Sequence, residues 1–189
     1  MLILIAGQPG TGKTTLGQLL AQKLGGFCLS TDTLKLLCRS LGYGGLALYD
    51  SHSAWMAFGE KNNENIIKGY QAHNKLMEKA VINSALLAIK TNKLLILEGV
   101  HITPEVFKKI KLKKIAIYLD LPNTKKHFEI FDKKNKLRNK PNKLWVKNYE
   151  AIQLINNYAK KNCEAVGFKI YNSQLPKTLA KQLIKDFKL

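Results

Sequence analysis

Five short apolar runs recur along the chain, and the segments between them place their apolar residues at helical spacing. Residues 2–6 (LILIA) are apolar at every position, as expected of a parallel strand covered on both faces. From Lys13 onward, Leu16, Leu19, Leu20 and Leu24 share one stripe and predict a helix. FCLS (27–30) reads as a second strand, and Thr31 or Asp32 could cap the next helix, which runs to about Arg39. A glycine-punctuated loop, LGYGGLALYDSHS (41–53), precedes two predicted helices, about 54–68 and about 70–91. In the second, Leu76, Met77, Ala80, Val81, Ser84 and Ala88 line one face. LLILEG (94–99) and KIAIYLDLP (114–122) are further buried strands, the latter stopped by Leu-Pro. A helix over about 123–132 meets the run KKNKLRNKPNK (133–143). Pro141 breaks that run ahead of a long helix striped by Trp145, Tyr149, Ile152, Ile155 and Ala159. FKIYN (168–172) is the last strand, and Pro176 starts a terminal helix with Leu179, Leu183 and Phe187 facing inward.

Apolar strands alternating with helices predict an α/β fold, a five-stranded parallel sheet with helices on both faces. No internal repeat or linker interrupts the 189 residues, a length that suits one domain over 1–189. No uncharged run reaches membrane-spanning length, and MLILIAG lacks the basic flank and apolar length of a signal peptide. The expectation is a cytoplasmic protein that does not enter a membrane. Cys28, Cys38 and Cys163 form no CxxC pair and are odd in number, so they read as small buried hydrophobes in a reducing compartment.

Charge changes the picture more than overall composition does. The formal net charge is +18, and all but two of the 31 basic residues are Lys. Asn is also abundant, at 15, and the two rising together fit an A- and T-rich coding sequence. That bias does not explain clustering: residues 105–147 hold 14 basic side chains against four acidic ones. Such a surface attracts anions, whether a nucleotide, a phosphorylated metabolite or nucleic acid.

The strongest chemical signal is GQPGTGKT (7–14), which satisfies GxxxxGK[ST] between a strand and a helix. Glycines let successive N–H groups turn toward phosphate oxygens, and the helix N-terminus adds partial positive charge. Gly7, Gly10, Thr11, Gly12, Lys13, Thr14 and Thr15 form the expected nucleotide-binding set. Lys13 is expected to reach the β- and γ-phosphates of ATP, and the Thr14 hydroxyl to ligate Mg²⁺. A regulatory GTPase would need an NKxD-type stretch; NKLL, NKLR, NKPN and NKLW all lack the Asp. A mechanical ATPase usually belongs to a larger assembly. A kinase needs an acid near the metal, an acceptor site and a cationic lid.

Each part has a candidate. Asp32, Glu98 and Asp120 all stand at carboxyl ends of predicted strands, where ligands of open parallel sheets bind. If the strand order is 2-3-1-4-5, as in small P-loop kinases, Asp32 and Glu98 lie beside the loop and Asp120 on the other side of strand one. Asp32 is assigned to the acceptor, as general base or hydroxyl positioner, with a plain helix cap as its alternative. Glu98 is assigned with Thr14 to the metal, since an unpaired buried carboxylate is expensive. Asp120 either joins this edge or caps the turn after it.

Arg138 sits in the lid run, roughly 133–143, and is the candidate to stabilise the transferring phosphoryl group, assisted by Lys134 and Lys136. Arg39 is the candidate to bind an acidic acceptor. Solvated surface charge is the alternative for both. His52 and His101 fall on loops near the sheet's carboxyl edge, and His101 is a candidate acceptor contact. His73 and His127 read as helix surface. No His pair has zinc-ligand spacing.

Taken together, GQPGTGKTT, STDTLKLLCR, YDSHSAW, LLILEGVHITPE, YLDLP and KLRNK followed by YEAIQLINNYAKK resemble small P-loop kinases, and more narrowly those acting on 2-phosphoglycerate. The resemblance implies transfer of the ATP γ-phosphoryl group to a hydroxyl of a small phosphorylated acid. It implies Lys13 and Thr14 for ATP and metal, Asp32, Arg39 and His101 around the acceptor, and Arg138 in the lid. A nucleotide or nucleoside kinase would share every part except the acceptor pocket. A polynucleotide 5′-hydroxyl kinase or nucleic-acid-binding ATPase would suit the charge, but the basic run lacks the interleaved aromatics and arginines usual for that role.

Overall fold

A computed structural model describes residues 1–42, 45, 49–91, 93–120, 124–136, 146–173 and 175–189, with the backbone only at 88, 89, 124 and 134. The strands are β1 (Leu2–Gly7), β2 (Phe27–Ser30), β3 (Leu95–Gly99), β4 (Lys114–Asp120) and β5 (Lys169–Asn172). They form one parallel sheet in the order β2-β3-β1-β4-β5, the order that the resemblance to small P-loop kinases implies. The helices are α1 (Lys13–Leu24), α2 (Thr31–Ser40), α3 (Asn63–Ala85), α4 (Leu87–Lys90), α5 (Pro104–Lys109), α6 (Thr124–Lys136), α7 (Tyr149–Ala165) and α8 (Pro176–Phe187).

Residue alternation in β1 explains why the sheet is covered on both sides. Leu2, Leu4 and Ala6 point to one face, where Met77 and Val81 of α3 and Ala151, Ile155 and Ala159 of α7 meet them. Ile3 and Ile5 point to the other, against Leu16 and Leu20 of α1 and Leu179 and Leu183 of α8. Burying large aliphatic side chains of this kind stabilises a fold by roughly 1.5–3 kcal/mol each. The central strand is thereby fixed from both sides, and so is the loop that leaves its carboxyl end.

Several local elements differ from the expectation. Ser30 rather than Thr31 or Asp32 caps α2: its hydroxyl accepts the Asp32 backbone N–H at 3.2 Å. The two helices predicted over 54–91 are instead a 3₁₀ turn, Ala54–Phe58, a continuous α3 capped by Asn62, and the short α4. Gly69 does not break α3, because it is the point where the 3₁₀ turn crosses it. A Cβ at Gly69 would lie 2.4 Å from the Trp55 backbone nitrogen and 2.5 Å from the Ala54 carbonyl carbon. Backbone cannot rotate out of the way, so Gly69→Ala is expected to cost about 1–3 kcal/mol of stability, the usual range for overpacking. Urea unfolding checks this, and an unchanged midpoint would refute the close crossing.

The buried face of α3 carries Ile66, Tyr70, His73, Asn74, Met77, Val81 and Ala85, while Leu76 is half exposed. The apolar pattern predicts no element over 104–109, where α5 lies, although Thr103 at its cap and Pro104 behind it are start signals. Four more residues than expected, 133–136, continue α6 into the basic run. Pro141 and Trp145 lie outside the described residues.

Candidate functional site

The loop between β1 and α1 takes its shape from glycine. Gly10 and Gly12 have φ of 88° and 85°, a left-handed region that costs other residues steric strain. A chain so curled presents its next helix, and the N–H groups of that helix's first turn, at the end of the sheet. Lys13 folds back over the loop: its buried ammonium donates to the Gln8 carbonyl at 2.8 Å and reaches the Thr11 hydroxyl at 3.4 Å. Thr11 donates its hydroxyl to the same carbonyl at 2.9 Å.

A cleft of about 490 Å³ opens above this loop. That volume suits a small ligand pair rather than a macromolecular groove. Of the expected nucleotide set, Gly10, Gly12, Lys13, Thr14 and Thr15 line it. Gly7 and Thr11 do not line it: a Cβ at Gly7 would meet the Leu119 carbonyl, and Thr11 turns its hydroxyl to Gln8. A second cavity of about 380 Å³ lies between α3, α5 and α7, and no residue of the phosphate loop is among those lining it.

Glu98, at the end of β3, is 1% exposed and accepts the Thr14 hydroxyl at 3.0 Å. The two residues that the sequence assigns together to a metal are thus in direct contact. Nearby, burial and then the Glu98 charge push the Cys28 thiol up to about 11, so Cys28 stays protonated and unreactive near neutral pH. The Cys163 thiol is pushed up to about 12 in the same way, chiefly by burial.

The far wall of the cleft comes from α2. Asp32, Lys35 and Arg39 follow one another at spacings of three and four, so they share a helix face and all line the cleft. The Lys35 ammonium lies 3.3 Å from Asp32 and 2.9 Å from Asp50. Arg39 donates to the same Asp50 oxygen at 3.2 Å and to the Tyr49 carbonyl at 3.0 Å. Burial pushes the Asp50 carboxyl up, but Lys35, His52 and Arg39 outweigh it and hold the group well below the usual carboxylate range. Lys35 and Asp50 were missed in the sequence. The polar stripe of α2 would have pointed to Lys35; little local marks Asp50, whose ion-pair partners Lys35 and Arg39 are 15 and 11 residues away.

Other expectations resolve differently. Asp120 is bound by α7, accepting Asn156 Nδ2 at 2.8 Å and Lys160 Nζ at 2.5 Å. His101 does not line the cleft: it is buried behind it, where its Nδ1–H donates to the Asn74 side-chain carbonyl at 2.8 Å. Asn74 in turn donates to the Tyr70 carbonyl at 2.9 Å, which fixes the amide's orientation and therefore the histidine tautomer. His73 and His127 are buried at 3% and 1% exposure, not on the surface as expected. Lys136 pairs with Asp132 at 2.6 Å. Arg138 lies outside the described residues, as does the Lys134 side chain.

Burial keeps these histidines neutral. The His73 imidazole is lowered to about 4, first by desolvation and then by Lys35, and His101 is lowered well below its ordinary range, first by desolvation and then by His73. In the unfolded chain both would take up protons near pH 6.5. Between about pH 6.5 and 4 the unfolded state binds more protons, so stability falls as pH falls. His73 alone contributes a loss approaching the order of 3 kcal/mol below that window. Thermal melts across pH 7.5 to 4 check it: the midpoint is expected to fall, and His73→Leu to flatten the slope. A His73→Leu slope equal to the parent's would count against the assignment.

Comparison with known proteins bears on the family and the fold. The profile of the AAA domain family matches residues 3–145. Along nearly its whole length the chain is similar to mevalonate-3-phosphate 5-kinase of Thermoplasma acidophilum, with 23% identity over 193 residues covering 99% of this chain and 95% of the relative. Two solved structures share the fold. Shikimate kinase from Bacteroides thetaiotaomicron superposes with a TM-score of 0.63 at 15% identity, covering 100% of this chain and 99% of that one. Shikimate kinase from Acinetobacter baumannii, in complex with shikimate, gives a TM-score of 0.59 at 14% identity over 99% and 92%. The relative is a mevalonate-phosphate kinase and not a 2-phosphoglycerate kinase, so the resemblance stands at the level of small P-loop kinases.

Proposed function

We infer the function from one premise: this chain belongs to the AAA domain family and has the P-loop NTPase fold. It is a P-loop small-molecule kinase. We propose that it transfers the γ-phosphoryl group of ATP to a hydroxyl of a small phosphorylated hydroxy acid. One observation carries this reading: the phosphate loop and the α2 cluster of Asp32, Lys35 and Arg39 face each other across a single cleft. Mevalonate 3-phosphate, which the relative's name gives as its substrate, and 2-phosphoglycerate, which the sequence suggests, are both phosphorylated hydroxy acids.

Lys13 would leave Gln8 for the phosphates, as a compact ammonium suits. Thr14 and Glu98 are oxygen donors already in contact, which fits a hard cation such as Mg²⁺. Thr14 would hold the ion and Glu98 would anchor its shell; when bound, the ion neutralises charge on the phosphates. Asp32 would take the proton of the acceptor hydroxyl as its oxygen bonds to the γ-phosphorus and the bond to the β-phosphate oxygen breaks. Lys35 and Arg39 would receive the acceptor's acidic group. Arg138 is proposed for the lid.

The test is a screen of acceptors with γ-labelled ATP. Label is expected on phosphorylated hydroxy acids and not on nucleosides, nucleotides or oligonucleotide 5′ ends. Label on a nucleotide, with none on the acids, would replace this reading by a nucleotide kinase. Steep loss of oligonucleotide labelling with salt would instead mark a nucleic-acid substrate.

A further inference from the structure

We propose that His127 is a positioning residue that holds the phosphate loop in register with α6 and α7, the helices before and after residues 137–145. The inference rests on the reading that the loop binds nucleotide. His127 belongs to none of the sequence motifs and does not line the cleft, yet it touches the loop directly. Its Nε2 lies 2.6 Å from the Pro9 carbonyl. A carbonyl only accepts, so Nε2 carries the proton and donates. Nδ1 is then the acceptor, and it faces two groups of α7: Gln153 Nε2–H at 2.6 Å and the Tyr149 hydroxyl at 3.2 Å. Gln153 also donates to the Tyr149 oxygen at 2.8 Å, which braces the pair. One imidazole thus joins α6, α7 and the loop.

The chemistry of the ring suits this task. Desolvation lowers His127, and the donated bond to Pro9 only partly opposes it. A neutral ring with a proton on Nε2 is the form that satisfies both neighbours. Phe131 and Tyr149 flank it at ring-centroid distances of 6.1 and 5.4 Å, so the imidazole is held by packing as well.

What the contact does to the loop follows from peptide geometry. The chain has no cis bonds among the described residues, so the Pro9–Gly10 peptide is planar and trans. Its C=O and N–H point in opposite directions. Fixing the Pro9 carbonyl on the imidazole therefore aims the Gly10 N–H away from it. Gly10 lines the cleft. A Cβ at Gly10 would sit 3.0 Å from His127 Nε2, so glycine there permits the ring's close approach as well as the loop's left-handed turn.

Titration calorimetry with Mg·ADP tests this without needing the acceptor, alongside a melting temperature for each variant. His127→Phe keeps an aromatic ring and removes the donor; it is expected to weaken Mg·ADP about tenfold, the scale of one lost hydrogen bond. His127→Gln offers an amide N–H to Pro9 and is expected to recover most of that loss. Gln153→Leu, which leaves the ring in place but unbraced, is expected to weaken binding about threefold. Parent-like affinity in His127→Phe would overturn the proposal, as would a His127→Gln protein no better than His127→Phe. If His127→Phe does not fold, an unchanged affinity in Gln153→Leu overturns it. A parent protein that does not bind Mg·ADP at all would overturn the functional reading, not this contact.

Discussion

Lys13→Ala is expected to lower phosphoryl transfer about 10³-fold, the upper range for removing one preorganised charge stabiliser. The structure makes the change a clean one. Gln8 O keeps the Thr11 hydroxyl and the Thr11 N–H after the ammonium is gone, so the loop retains its internal bonds. What disappears is the only side-chain cation within the phosphate motif itself. Lys13→Arg is not expected to rescue it, because a bulky planar fork does not fit a site built for a compact ammonium. Single-turnover assays with labelled ATP, with melting curves as a control for folding, measure the effect. A folded variant within tenfold of the parent would remove Lys13 from the reaction.

The second large effect is expected at Asp32. Asp32→Asn should reduce kcat by about 10²- to 10⁴-fold, the usual worth of a general base, with the nucleotide KM unchanged. Helix capping does not confound this. The cap of α2 uses the backbone N–H of Asp32 and the hydroxyl of Ser30, so the Asp32 side chain takes no part in it. Lys35 also keeps its shorter contact, to Asp50, when the Asp32 charge is lost. Asn therefore preserves shape and neighbours and removes proton-accepting capacity. Equal kcat in the two proteins would show that Asp32 only orients the acceptor, or does not meet it.

Much of this architecture is legible in the sequence because parallel strands buried on both faces have no polar positions to blur them. LILIA and LLILE declare themselves, and the glycine motif fixes which strand ends matter. The acids follow from that: Glu98 meets Thr14, and Asp32 lines the cleft. The misreadings share a different cause. Gly69 punctuates a sequence but here serves a crossing that only tertiary structure reveals. His73 and His127 look like surface residues because their neighbours, the His101 ring packed against His73 and the Pro9 carbonyl bonded to His127, come from remote segments. Asp50 is similar: one carboxylate in a lysine-rich chain attracts no notice until α2 is folded against it.

The pairing at Asp50 sets a condition on what the cleft admits. Lys35 and Arg39 already share a fixed negative charge, so a visiting anion is in competition with an internal rival for the same two cations. A monoanion arriving there exchanges one equivalent attraction for another and gains little. A dianion brings more charge than the resident group and tips the exchange. On the proposed reading, in which Lys35 and Arg39 receive the acceptor's acidic group, the cleft would weigh the valence of its guest before any catalytic group is engaged, and discrimination of this kind would weaken as salt or acid erodes the difference.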